Sequence, residues 1–226
     1  MHAFKYHRPA SVNDAAALVK GEAKLLAGGQ TLVQTMKLRL ASPSDIVDLG
    51  MIRDLAGMIG DRQVRAMGTI GGSLANNDPA ADYPAAALGL GATIVTNKRK
   101  ISADEFFKGM FSTALQAGEI ITSVSFPVPR RAAYTKFKNP ASRFAIVGVF
   151  VADFGGSVRV AVTGAGPGVF RQKDMEKALA AKFAPDSVAS IKQKQDGLNT
   201  DLHASAEYRA HLVTVMAKRA VEAAMK

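Results

Sequence analysis

The chain has no cysteine. That excludes disulfides, thiolate metal sites, a cysteine nucleophile and any iron–sulfur cluster held by this chain, so such a centre would have to belong to a partner. Also absent is any apolar run approaching the roughly 20 residues of a membrane span. The opening stretch MHAFKYHRPASVNDAAALVKGEAK has no apolar core long enough for a signal peptide, which makes a cytoplasmic location the default expectation. There is no internal repeat, no linker and no long polar tract, so the chain reads as folded rather than disordered. No residues assemble into a nucleophile with a general acid and base. The four histidines, His2, His7, His203 and His211, lie towards the chain ends at spacings that suggest no metal site.

What is present is an ordinary globular composition of 226 residues, 48% apolar and 21% charged, enough for one large domain or two small ones. The 29 basic residues exceed the 19 acidic ones and give a formal charge of +10. Such a balance fits nucleic acid, an anionic ligand or an acidic partner. Here Lys and Arg are scattered, with short clusters only at Lys98, Arg99, Lys100 and at Arg130, Arg131, and aromatics are not interleaved with them as stacking platforms. No nucleic-acid partner is expected.

The first segment alternates helix and strand. Ser11 with Asp14 three residues on is an acidic variant of the capping box, and Val12, Ala15, Ala16 and Val19 share a helical face. KLLAGG reads as a strand ended by glycines, TLVQTMKLRLA as a helix with Leu32, Met36 and Leu40 on one side, and DIVDLG as another strand. From residue 92 the rhythm becomes that of a mainly antiparallel sheet. Strands are expected at ATIVTN, EIITSVSFPVP, AYTKFKN and RFAIVGVFVADF, the last turning through Gly155 and Gly156 into SVRVAVTGAG. The tail reads as helix at RQKDMEKALAAKF, in a piece around PDSVASIKQK, and over SAEYRAHLVTVMAKRAVEAAMK, where Tyr208, Leu212, Val215, Met216 and Ala220 share a face.

Two glycine turns stand out, AGGQT (Ala27 to Thr31) and TIGGS (Thr69 to Ser73). Without a Cβ, backbone N–H groups can approach a phosphate closely, so each turn could hold one end of a pyrophosphate. The plainer reading is that each Gly-Gly pair makes a tight turn. Two such turns are more informative than one.

The stretches LLAGGQTLVQTMKLRLASPSDIVDL, RAMGTIGGSLANNDPAADYPAAALGLGATI, FFKGMFSTALQAGEIITSVSFPVP and ASAEYRAHLVTVMAKRAVEAA resemble, in the same order, the FAD-binding medium subunit of molybdenum hydroxylases of the carbon monoxide dehydrogenase and xanthine dehydrogenase type. The resemblance implies an α+β fold in three parts. These are an N-terminal βαβ FAD-binding lobe (1–58), a second FAD-binding lobe with antiparallel sheet (59–130), and a C-terminal lobe of antiparallel strands and helices (131–226). It implies an electron-transfer flavoprotein with two partners. A large molybdopterin-binding subunit oxidises the substrate, and a small iron–sulfur subunit feeds electrons to the flavin, which passes them to an external acceptor. The lack of cysteine fits that division of labour.

Carried over by residue, the resemblance places Leu26, Ala27, Gly28, Gly29, Gln30, Thr31 and Leu32 against the FAD pyrophosphate and neighbouring atoms, joined by Thr69, Ile70, Gly71, Gly72 and Ser73. Two phosphates call for donors, and backbone N–H groups with Thr and Ser hydroxyls supply them without charge. Asp82 would accept from a ribose hydroxyl, or else cap a helix over YPAAALGLG. Asp78 shapes the turn before Pro79. Ile121 corresponds to an apolar residue near the cofactor, and Lys138 to a lysine that stabilises the negative charge of reduced flavin, or is a solvated strand lysine. Phe144 corresponds to an aromatic shielding the flavin face, or is a core residue of its strand. Arg143 approaches flavin or acceptor, or is a surface arginine.

The chain departs from the family at one place. Between DLGMIRDLAGM and RAMGTIGG it has only IGDRQV, where the family carries further strands and helices of the flavin-binding half. Two readings follow: an FAD-binding redox subunit, or a flavin-free scaffold that keeps the fold.

Overall fold

The computed structural model describes residues 4–7, 9, 12–21, 23–26, 45–48 and 67–226. The chain divides into two compact units. One comprises Met1–Ala75, Ile94–Ile101 and Leu115–Val124, the other Asn76–Thr93, Ser102–Ala114 and Ser125–Lys226.

In the first unit, β1 (Lys5–His7), β2 (Lys24–Leu26) and β3 (Asp45–Asp48) form a parallel sheet with β3 in the middle. Parallel neighbours need a crossover connection, which agrees with the βαβ reading. The expected crossover helix and the turn AGGQT lie outside the described residues, as does the expected cap Ser11. The helix α1 (Val12–Leu18) buries Ala15 against Ile120, with Ala16, Val19 and Leu25 packed around them.

A second sheet, mostly in this unit, orders β5 (Lys100–Ser102), β4 (Thr93–Thr96) and β8 (Ile121–Ser125) with β4 central. Its turn is locked by a buried carboxylate. Arg99 lays its guanidinium on Glu119, Nε to Oε1 at 3.0 Å and Nη2 to Oε2 at 3.1 Å. The Thr96 hydroxyl and the Gln116 N–H each add a bond of 2.8 Å. Glu119 is only 3% exposed. The Arg99 pairing outweighs the opposing effect of burial and holds the carboxyl at about 2.

In the second unit, β9 (Arg131–Lys138), β10 (Ala145–Asp153), β11 (Val158–Thr163) and β12 (Phe170–Arg171) make an antiparallel sheet in the order β12-β11-β10-β9. Strand residues alternate between faces, and here both faces are covered. One carries Val147, Val149, Val151, Val160 and Val162 into a core shared with α7 (Ala206–Ala224), α5 (Lys173–Ala181) and α6 (Asp186–Ala189). The other receives α3 (Asp82–Leu90), where Gly89 gives the Phe150 ring its space: a Cβ at 89 would stand 2.6 Å from Phe150 Cδ1. Nearly unbroken burial along β10 follows from this double cover.

Several details differ from the sequence reading. The strands expected from residue 92 onward fall into separate sheets, and β8 stops at Ser125. A short helix α4 (Ala103–Phe106) and a hairpin of β6 (Phe107–Gly109) and β7 (Ser112–Thr113) fill a stretch with no sequence expectation, anchored by the fully buried Phe106. The piece around PDSVASIKQK shrinks to α6. On α7, Leu212, Met216 and Ala220 face the core, but Tyr208 is 43% exposed and Arg209 is buried in its place. The Arg209 guanidinium reaches the Ile146 and Gly164 carbonyls at 2.6 and 2.9 Å and Asp201 at 2.7 Å, polar partners that a count of apolar periodicity does not see.

Because Glu119 ionises far below the ordinary glutamate range of about 4.3, its stabilising effect is fully present above that value and is lost as the pH falls towards 2. Urea midpoints measured from pH 7 down to pH 2 are expected to fall through this window in the wild type. Glu119→Gln lowers the neutral midpoint and flattens the acid limb.

Candidate functional site

The block TIGGS opens α2 (Ile70–Asn76). Thr69 is buried, and its Oγ1 accepts the Gly72 N–H at 2.9 Å while its carbonyl accepts the Ser73 N–H at 2.9 Å. The first N–H groups of a helix have no intrahelical acceptor. Those of Ile70 and Gly71 find none among the described residues. Gly71 backs onto Ile121: a Cβ at 71 would lie 3.8 Å from the Ile121 Cβ, so the structure brings these two predicted residues together in the first unit. Of the first block, Leu26 ends β2, while Ala27, Gly28, Gly29, Gln30, Thr31 and Leu32 lie outside the described residues.

In the second unit, Asp78 shapes its turn as expected, accepting the Ala80 N–H on Oδ1 at 2.9 Å. Helix α3 begins at Asp82 itself, with Ala81 as N-cap and no side-chain capping bond, which corrects the alternative reading of Asp82 as the cap. The loop before it hangs from the end of β11. The Thr163 hydroxyl lies 3.0 Å from the Pro79 carbonyl and 2.7 Å from that of Ala81, and the Gly164 N–H donates to Pro79 at 2.8 Å.

The Asp82 side chain is engaged on both oxygens. The Tyr134 hydroxyl donates to Oδ1 at 2.5 Å and the Lys136 ammonium to Oδ2 at 2.6 Å. Burial first, then the charge of Asp82, push the Tyr134 phenol well above its ordinary range, so it remains a donor. Neither Tyr134 nor Lys136 was singled out in the sequence. Their spacing at i and i+2 puts them on one face of β9, but nothing local names a partner 52 residues away from Tyr134.

Lys138 and Phe144 flank the connection between β9 and β10, and both are exposed. That connection is organised by the buried Asn139, whose Oδ1 accepts the N–H groups of Ala141 and Ser142 at 2.9 and 3.2 Å. Arg143 sits in it with φ 61°, its N–H donating to the Asn139 carbonyl. At 45% exposure Phe144 is not a core residue. Of the two basic clusters, Arg99 is spent on Glu119 and Arg131 on Asp153, with the Arg131 guanidinium 3.9 Å above the Phe183 ring. Among the described residues no group of three acids or histidines is placed to hold a metal, and no helix is long and apolar enough to cross a membrane.

Residues 2–58 and 53–129 match the family described as the FAD binding domain in molybdopterin dehydrogenase, and residues 132–224 match the CO dehydrogenase flavoprotein C-terminal domain. The chain belongs to the flavoprotein medium subunits of the molybdenum hydroxylases. This medium subunit is 32% identical to the carbon monoxide dehydrogenase medium chain of Afipia carboxidovorans, over 98% of this chain and 96% of that one. It is also 32% identical to the nicotine 6-hydroxylase medium subunit of Paenarthrobacter nicotinovorans, over 97% and 96%. Its fold matches that of the reconstituted CO dehydrogenase from Oligotropha carboxidovorans with a TM-score of 0.85 and 30% identity, covering 99% of this chain and 98% of that one. Medium subunits of this kind are components of multi-subunit oxidoreductases.

The alignment with the Afipia chain spans 277 positions against the 226 of this chain, so that relative carries residues with no counterpart here. The FAD-domain match breaks into its two pieces around residues 53–58, beside the short connection seen in the sequence.

The Tyr134 ring owes its place to Gly148, because a Cβ there would fall 2.8 Å from the ring carbon bearing the hydroxyl. Gly148→Ala is expected to cost about 1–3 kcal/mol as an overpacked position, measured by urea unfolding.

Proposed function

We propose that this medium subunit binds FAD non-covalently and relays electrons from the iron–sulfur clusters of a small partner subunit to an external acceptor, while a large molybdopterin-binding partner oxidises the substrate. The observation that carries the reading is the second glycine block. The N–H groups of Ile70 and Gly71 are left without protein acceptors among the described residues, beside Thr69, whose Oγ1 accepts the Gly72 N–H, and the Ser73 hydroxyl is proposed to join them. This uncharged donor set suits a phosphate and needs no lysine. Gly28, Gly29 and their neighbours Leu26, Ala27, Gln30, Thr31 and Leu32 are proposed to serve the same pyrophosphate. Asp82 is an acceptor for a ribose hydroxyl of the cofactor, Ile121 an apolar contact, Lys138 a cation for reduced flavin and Phe144 a cover for the ring. The three-lobe division at 58/59 and 130/131 belongs to the same proposal.

When bound, the flavin supplies the capacity to take up and release electrons singly or in pairs. The residues of this chain hold it. Thr69 keeps the Gly72 N–H turned into the first turn of α2, which fixes the backbone of the block before any ligand arrives. A preformed donor set loses little freedom on binding.

A second reading, a flavin-free scaffold, is favoured by one observation: the FAD-domain match breaks into two pieces at residues 53–58, where the chain has only a short connection. The two readings separate in one experiment. Purified full-length protein titrated with FAD is expected to give a bound-flavin absorbance spectrum, and Gly72→Val is expected to abolish it while the circular dichroism spectrum is kept. A wild-type protein that retains no flavin, alone or co-purified with its partner subunits, decides for the scaffold.

A further inference from the structure

Tyr134 lies outside every role carried over from the family, yet its ring and its hydroxyl are both held in place. Its ring stacks on Phe150 with centroids 6.4 Å apart and planes 28° from parallel. Directly across the ladder, Tyr134 pairs with Phe150 and Lys136 with Gly148. The missing side chain at 148 opens the space the phenol occupies, and Phe150 in turn presses against Gly89 of α3. The phenol therefore takes its position from β10 and from the same helix whose first residue is Asp82.

We infer that Tyr134 is a positioning residue for Asp82, fixing which lone pairs the carboxylate presents to an incoming cofactor donor. This inference rests on the reading of Asp82 as a cofactor-binding acceptor. An ionised carboxylate is acceptor-only, with about four lone-pair sites. Tyr134 occupies one on Oδ1 and Lys136 one on Oδ2. With one tether the group could turn about its Cβ–Cγ bond, and with a tether on each oxygen it cannot. The remaining lone pairs belong to a side chain that is still 44% exposed, so the acceptor is immobilised and accessible together. Immobilisation before binding removes an entropic cost that the ligand would otherwise meet.

Packing alone does not ask for a tyrosine at this position. A phenylalanine would make the same stack on Phe150, and burying a hydroxyl costs free energy unless it is bonded. The hydroxyl is bonded, and its partner is Asp82 alone among the side-chain bonds of the described residues. Raised by burial and by the Asp82 charge, the phenol keeps its proton across the physiological range and cannot reverse the direction of the bond. A purely structural alternative remains: the bond could simply pin α3 to β9.

A double-mutant cycle tests whether the two residues act on FAD as a unit, and melts of the flavin-free proteins separate positioning from pinning: pinning lowers the melting temperature in step with the affinity, positioning lowers the affinity alone. FAD dissociation constants are measured by flavin fluorescence on the full-length chain for the wild type, Tyr134→Phe, Asp82→Ala and the double variant, with thermal melts of each protein without flavin. Tyr134→Phe is expected to weaken FAD roughly fivefold to tenfold in the wild-type background, and less than about twofold once Asp82 is alanine, because the hydroxyl then has nothing to position. Asp82→Asn provides a second background if the alanine variant melts early. Equal losses with and without Asp82, or no loss from Tyr134→Phe in a wild type that binds FAD, overturn the inference and leave the cofactor reading standing. A wild type that binds no FAD overturns that reading and the inference with it.

Discussion

Arg209 is 4% exposed, and the order of the second unit depends on what its guanidinium holds together. One nitrogen bridges the carbonyls of Ile146 and Gly164, the other reaches Asp201. Ile146 lies where the β9–β10 register slips between Ala145 and Val147, and a bulge of this kind leaves backbone groups without ladder partners. Gly164 lies just past the end of β11 with φ 81°, and its own N–H holds Pro79. One buried cation on α7 thus supplies the missing donors at a sheet irregularity and braces the loop that leads into Asp82. Removing it would strand two buried carbonyls and leave Asp201 with only its two backbone donors. Burial disfavours charge on that carboxylate, but the N–H groups of His203 and Ala204, together with Arg209, hold it below the ordinary range.

The double cover of the sheet explains why its two faces can do different work. The face towards α7 is almost wholly aliphatic and carries the core. The face towards α3 bears Tyr134, Lys136, Arg159 and Thr163, each bonded to α3 or to the loop before it. Alternation along a strand lets one set of residues supply cohesion and the next set supply placement. Bonded through four side chains, the polar face orients the helix as well as supporting it.

Much of the fold was legible because its signals are local. The β10–β11 hairpin was marked by Gly155 and Gly156, and Gly155 adopts φ 83° with the Phe154 N–H closing onto Ser157. The apolar spacing of Leu212, Met216 and Ala220 identified the inner face of α7. The misses share one cause. Tyr208 was counted with that face, but the space was taken by Arg209, whose partners are carbonyls 45 and 63 residues away. At the candidate site, the family resemblance named the glycine blocks, Asp82 and Ile121 as candidates, and the structure brings Gly71 against Ile121. The tethers Tyr134 and Lys136 were not legible, since a strand's alternation tells which residues share a face and says nothing of what will lie over it. Lys138, two residues on, is the lysine the resemblance names, and it lies at the exposed end of β9.

Helix α3 is fastened near each end to the same strand. At its start, Thr163 holds the Ala81 carbonyl, and at its finish the Arg159 guanidinium straddles the Leu88 carbonyl at 2.8 and 3.0 Å. From 159 to 163 a strand advances about 13 Å, while from 81 to 88 a helix advances about 10 Å, a difference that an arginine's reach absorbs. β11 therefore acts as a ruler laid along α3. Substitutions between Asp82 and Leu88 leave the measure intact, but a single inserted or deleted residue would turn one end about 100° out of step. In this part of the protein, length is the quantity under constraint.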